Sequence, residues 1–127
     1  AKNEAEAVRF YRIAADQGHA EAQASLGYAY DMGKGITKSD PEALKWYRLS
    51  AASGNARGQW LLGTMYELAQ GVTKDINEAI KWYRMSANQG NGKGQAAMAR
   101  MLPVLSRHRA PARRPALPIM QTWSSCA

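Results

Sequence analysis

The chain has 127 residues, 46% of them apolar, with a formal charge of +7; that is enough for one domain and not comfortably for two. No run of about 18 apolar residues could cross a membrane as a helix, and a lone cysteine, Cys126, excludes an internal disulfide framework or a cysteine zinc cluster. The charge is uneven: residues 1–102 carry 13 Lys/Arg against 10 Asp/Glu, whereas residues 103–127 carry four Arg and no acid. The basic balance therefore belongs more to a tail than to the body, which is weak support for a nucleic-acid-binding domain. No basic, apolar, small-residue leader opens the sequence. The first residues already read as the middle of a repeating unit, so the natural start is expected upstream.

Self-similarity organises everything as far as residue 102. Glu6, Glu42 and Glu78 lie 36 residues apart, and the same lag relates Tyr11 to Tyr47 and Tyr83, Arg12 to Arg48 and Arg84, and Gln23 to Gln59 and Gln95. It predicts six helices in a sheet-free, all-α fold: a partial repeat, two full repeats and a second partial repeat. The first helix, 4–17, opens on an N-cap acceptor at Asn3 with Glu6 three residues on, carries Phe10-Tyr11, and closes at Gly18, where glycine takes the left-handed C′ conformation without steric cost. The second, 20–32, carries Gln23, Leu26, Gly27 and Tyr30. After a turn holding Gly35, Thr37 and Lys38, the third, 39–53, repeats the first with Ser39, Glu42, Trp46-Tyr47 and Gly54. The fourth, 56–69, repeats the second with Gln59, Leu62, Gly63 and Tyr66. The fifth, 75–89, opens on Asp75 and Glu78, carries Trp82-Tyr83 and closes at Gly90. The sixth, 92–102, stops where Pro103 breaks it.

A glycine inside a helix costs about 1 kcal/mol relative to alanine. Gly27 and Gly63 are therefore expected to permit close approach of a partner helix, with small Ala99 in the third copy. Leu26, Tyr30, Tyr47, Leu62, Tyr66 and Tyr83 are expected to be buried, and the three aromatic pairs to fill the layer between successive hairpins rather than cage a ligand.

These residues resemble the Sel-one-like repeat family, relatives of the tetratricopeptide repeat. The resemblance rests on the LG-x-x-Y segments (Leu26-Gly27 to Tyr30; Leu62-Gly63 to Tyr66), the G-[IV]-T-K turns (Gly35 to Lys38; Gly71 to Lys74) and the A-x-x-WY-x-x-[SA]-A-x-x-G helix, and covers residues 4–102. It implies a right-handed α-solenoid of antiparallel helical hairpins that serves as an adaptor or scaffold, mostly in bacterial signalling and envelope processes, in cytoplasm or periplasm, with no catalytic residues to carry over. One branch pins each repeat with a cysteine pair, which this chain lacks. Residues 103–127 leave the pattern: four prolines, no acid and neither helical nor alternating periodicity. Three readings stay open there: a disordered basic tail, a non-native extension, or an arm whose Arg107, His108, Arg109, Arg113 and Arg114 grip an anionic partner.

The parts of an enzyme are not assembled. His19 stands where the other copies hold Asn55 and Asn91, His108 lies in the tail, and neither has a carboxylate or thiol at the spacing of a triad or zinc site. Gly90-Asn91-Gly92-Lys93-Gly94 suggests a phosphate cradle but lacks the GK[ST] ending and a preceding strand. Asp31, Asp40 and Asp75 read as caps or solvated surface. No cofactor or metal is expected.

Two binding readings remain. Arg9, Lys45 and Lys81 recur, as do Arg12, Arg48 and Arg84. Stacked helices would align these six cations for an anionic polymer such as nucleic acid, polysaccharide or a membrane surface, although Glu6, Glu42 and Glu78 lie within salt-bridge reach of the first set. The protein-binding reading rests on positions that do not recur: Glu21/Arg57/Lys93, Ala24/Trp60/Ala96, Ser25/Leu61/Ala97, Tyr28/Thr64/Arg100 and Asp31/Glu67. They fall at i, i+3, i+4, i+7 and i+10, one stripe of the helix that lines the concave surface of such solenoids. Glu21, Ser25, Tyr28, Asp31, Arg57, Trp60, Leu61, Thr64, Glu67, Lys93 and Arg100 are therefore the candidate contacts for a protein or peptide. Trp60 is the expected anchor because alanine suffices at its counterparts; the competing reading has Trp60 and Leu61 fill a local gap. So few repeats should be marginally stable, with self-association through exposed terminal repeats an expected outcome.

Overall fold

The computed structural model describes the backbone of residues 3–108 and the side chains of residues 3–102. Six helices follow one another: α1 (Glu4–Asp16), α2 (Ala20–Met32), α3 (Asp40–Ala52), α4 (Ala56–Leu68), α5 (Ile76–Asn88) and α6 (Gly92–His108). No strand occurs among the described residues. Local chemistry sets the boundaries. The side chains of Asn3, Ser39 and Asp75 accept from the backbone N–H of Glu6, Glu42 and Glu78, satisfying donors that have no partner within the helix. Asn55 and Asn91 do the same for Gly58 and Gly94 at 2.7 and 2.8 Å, whereas His19, at the matching place, makes no side-chain capping bond. Gly18, Gly54 and Gly90 turn the chain after α1, α3 and α5 with φ of 92°, 92° and 85°.

The helices pack as a chain of hairpins. Within the hairpins α2–α3 and α4–α5, the Tyr47 ring lies over Gly27 and the Tyr83 ring over Gly63. A Cβ on either glycine would stand 2.6 or 2.7 Å from the ring, so the absent side chain is what lets the helices meet. The buried tyrosine hydroxyls donate to carboxylates one turn beyond those glycines, Tyr47 to Asp31 at 3.1 Å and Tyr83 to Glu67 at 2.6 Å. Between hairpins, Gln23, Gln59 and Gln95 donate to the carbonyls of Ala15, Ala51 and Ala87, which accounts for the recurrence of glutamine. Ser50 and Ser86 donate to the carbonyls of Ala20 and Ala56 at 2.8 and 2.7 Å. Leu26, Tyr47, Leu62, Met65, Tyr83 and Met101 are almost wholly buried along the axis of the stack.

Three expectations are corrected. The sixth helix does not stop at Leu102: α6 continues to His108 with Pro103 inside it, because proline removes one backbone donor and fixes a helical φ rather than forbidding the turns on either side. Tyr66 is half-buried, its hydroxyl drawn to the surface, where it accepts from Arg48 at 3.3 Å. The first aromatic pair is not core: Phe10 is 60% and Tyr11 38% exposed, since among the described residues no helix precedes α1 to lie against it as α2 lies against α3. The tail beyond residue 108, with Arg109, Arg113, Arg114 and Cys126, lies outside the described residues.

Candidate protein-binding surface

Because equivalent helices repeat, α2, α4 and α6 lie side by side and bring most of the non-recurring positions onto one face. The face is tied together by charge. Arg57 on α4 donates to Glu21 at 3.0 Å and to the Ser25 hydroxyl at 3.0 Å on α2. The Asn55 amide and that guanidinium hold the Glu21 carboxyl below its ordinary range. One step along, Arg100 on α6 grips both oxygens of Glu67 on α4 at 2.5 and 3.0 Å. The Arg100 hydrogen bond keeps Glu67 ionised to lower pH than usual. Burial, with the Glu67 hydrogen bond, pushes the Tyr83 hydroxyl up to about 12, so it remains a donor at any ordinary pH.

Two aromatic side chains stand on this face under cations. The Tyr28 ring is approached by Lys34 at 5.7 Å and Arg57 at 5.8 Å. The Trp60 ring carries Lys93 at 4.8 Å. Beside Trp60 a hollow of about 310 Å³ is lined by Lys93, Ala96, Ala97 and Arg100. A second, of about 300 Å³, lies between α1 and α2 around Tyr11, Tyr28 and Lys34. Thr64 is folded back, donating to the carbonyl of Trp60 at 3.0 Å, with its hydroxyl 3.3 Å from that of Tyr83.

Two candidate contacts leave the surface. Leu61 is 4% exposed and belongs to the core cluster, so it packs inward among the helices rather than facing a partner. Asp31 is 8% exposed, its carboxylate taken by Tyr47 and by the Gln70 amide at 3.2 Å; it is neither a cap nor a solvated acid. The signal that could have shown this is the acid four residues after both Gly27 and Gly63, Asp31 and Glu67. Glu21, Ser25, Tyr28, Arg57, Trp60, Glu67, Lys93 and Arg100 stay at least partly accessible.

Four of the six recurring cations have partners on their neighbours. Lys45 and Lys81 pair with Glu42 and Glu78 at 3.5 and 3.3 Å and sit over Trp46 and Trp82 at 4.8 and 4.7 Å. Arg12 and Arg48 donate to the hydroxyls of Tyr30 and Tyr66. Among the described residues no group of three His, Cys, Asp or Glu could hold a metal ion, and no helix is long and apolar enough to cross a membrane.

A stack of equivalent helical hairpins with one non-recurring, aromatic-bearing face defines an α-solenoid repeat protein. The chain belongs to the Sel1 repeat family, whose model matches residues 1–19, 20–55 and 56–91. It is similar to the crystal structure of a Sel1 repeat protein from Oxalobacter formigenes, 42% identical with a TM-score of 0.74 over 80% of this chain and 40% of that one. It is also similar to c5321, a protective antigen of uropathogenic Escherichia coli with the same repeat fold, at 38% identity and a TM-score of 0.74 over 81% of this chain and 21% of that one. Cysteine-rich protein B of Helicobacter pylori, 20% identical with a TM-score of 0.66 over 71% of this chain and 68% of that one, shares the fold. The comparison with curated proteins gave no match. The chain thus spans two fifths and one fifth of the length of the first two relatives.

Proposed function

We propose that this chain is a non-catalytic interaction module whose α2–α4–α6 face binds another protein or peptide. The observation that carries the reading is the contrast between faces. Tyr28 and Trp60 remain accessible on a face whose residues differ from repeat to repeat, whereas four of the six recurring cations, Arg12, Lys45, Arg48 and Lys81, are spent on neighbouring carboxylates, hydroxyls and rings. Membership of a family of protein-interaction repeats supports the same class. Aromatic side chains ringed by polar groups are the usual anchors of protein interfaces, because a large apolar area is desolvated at small entropic cost.

The test measures a partner captured with the intact protein. Trp60→Ala combined with Tyr28→Ala should weaken binding by roughly 1–3 kcal/mol with little dependence on salt. Neutralising Lys45, Arg48, Lys81 and Arg84 should matter little. The reverse pattern, with affinity falling steeply as salt rises, would assign an anionic polymer instead. Loss of binding on deleting residues 103–127, with the aromatic variant unaffected, would move function into the tail.

A further inference from the structure

Along the α2–α4–α6 face, side chains of each later helix reach back to the earlier one, and the two steps differ in charge. Arg57 on α4 reaches Glu21 and Ser25 on α2. Thirty-six residues on, Lys93 holds the place of Arg57, and Arg57 holds that of Glu21. The second step therefore sets two cations where the first pairs a cation with an acid. The Arg57 guanidinium is taken by Glu21, and both oxygens of Glu67 are taken by Arg100. Lys93 is left with no acid at ion-pair distance among the described residues. Its ammonium lies instead over the Trp60 ring. The same step carries the extra bulk of the face, since Trp60 stands where the other copies have Ala24 and Ala96. The half-buried indole walls the hollow of about 310 Å³, and the small side chains of Ala96 and Ala97 keep it open between Lys93 and Arg100. An apolar recess thus has an ammonium at its rim that lacks the acid its counterpart has.

We infer, resting on the protein-binding reading of this face, that the α4–α6 step recognises an acidic segment of a partner protein, an Asp or Glu beside a large apolar side chain. The apolar side chain fills the hollow against Trp60, Ala96 and Ala97. The neighbouring carboxylate meets the Lys93 ammonium, supplying the acid that Glu21 supplies to Arg57 one step earlier. Charge complementarity of this kind sets which segment is accepted more than how tightly it is held. A basic segment would bring a further cation to a step that already holds Arg57, Lys93 and Arg100. Because one exposed ammonium is engaged, affinity falls only shallowly with salt, unlike the steep loss expected when many phosphates are contacted.

The probe is a display library of random dodecapeptides held between glycine-serine linkers, so that no chain end enters the selection, panned on the full chain. Selected sequences are remade as capped, labelled peptides and titrated by fluorescence anisotropy. They should share an Asp or Glu next to Phe, Trp, Leu or Met, and Trp60→Ala should weaken them at least fivefold. Lys93→Glu should weaken them at least tenfold with circular dichroism unchanged, since Lys93 is exposed. A peptide with lysine in place of the acid should regain affinity for the Lys93→Glu chain. Arg84→Glu, which alters net charge equally from α5, should have little effect. Peptides that need Trp60 but carry no acid, or that ignore Lys93→Glu, would overturn the acidic-segment proposal and leave the protein-binding reading standing. An equal loss with Arg84→Glu would also overturn it, because net charge alone would then account for the effect. Peptides indifferent to Trp60→Ala, or no enrichment at all, would overturn both.

Discussion

Ala69 and Gly33 occupy the same place one repeat apart, the residue that ends α4 and α2, and both are left-handed, with φ of 56° and 69°. Glycine reaches that region freely, whereas a Cβ there crowds the neighbouring carbonyl. Ala69 is exposed and the amide at this position closes the helix onto Met65, so a substitution acts on backbone strain alone. Ala69→Gly should therefore stabilise the protein by about 1 kcal/mol, read as a higher urea midpoint at unchanged slope. An unchanged or lower midpoint would mean that the gain in unfolded-chain entropy outweighs the relief of strain. Comparison of copies explains other positions in the same way. Ser50 and Ser86 face Gly58 and Gly94, where a Cβ would stand 2.2 and 2.6 Å from the hydroxyl oxygen. The first copy has Ala14 and Ala22 at the equivalent positions, two alanines where the later copies pair a serine with a glycine.

Whole helices were legible because the residues that begin, end and space them recur in local roles: the cap at Ser39, the turn at Gly54 and the glycine beneath Tyr47 all follow from a 36-residue comparison. What was not legible depends on neighbours that copies do not share. Phe10 and Trp46 are equivalent in sequence, but only Trp46 is enclosed. Leu61 and Asp31 belong to the non-recurring stripe by spacing, yet one is buried in the core and the other accepts from the Tyr47 hydroxyl. Burial decides such cases, and spacing alone does not contain it. For the last helix the contact with α4 is explicit, since Arg100 clamps Glu67. The folded-state pKa of Glu67 is lowered, so the stability it contributes is present above the unfolded value of about 4.3 and is lost as pH falls through the folded one. Glu67→Gln should cost about 1 kcal/mol or less at pH 7, because the Arg100 side of the pair is solvated. The gap from the parent protein should close as pH falls below about 4. A gap that persists undiminished into acid would show that the glutamine disturbs packing around Tyr83 rather than removing a charge.

In a stack of this kind cohesion passes from each helix to the next, so the response to damage should be graded along the chain. α3 and α4 have packed neighbours before and after them, whereas among the described residues α1 and α6 each terminate the series of contacts. Gly63 is the place to test this. A methyl group there would meet two carbons of the Tyr83 ring at 2.7 Å and the Ala79 carbonyl at 3.1 Å. The ring cannot swing aside without leaving a fully buried site and its bond to Glu67. Overpacking of this kind costs roughly 1–3 kcal/mol, and it enters between α4 and α5. If interfaces contribute separately, Gly63→Ala should speed native-state hydrogen exchange most in α4, α5 and α6, with smaller changes in α1 and α2, while the slowest amides of the parent protein lie in α3 and α4. If the described helices open only as one unit, every slow amide would accelerate by the same factor. That uniform result would reject the graded picture, whereas a gradient falling away from Gly63 would place the energetics of this protein in its nearest-neighbour interfaces.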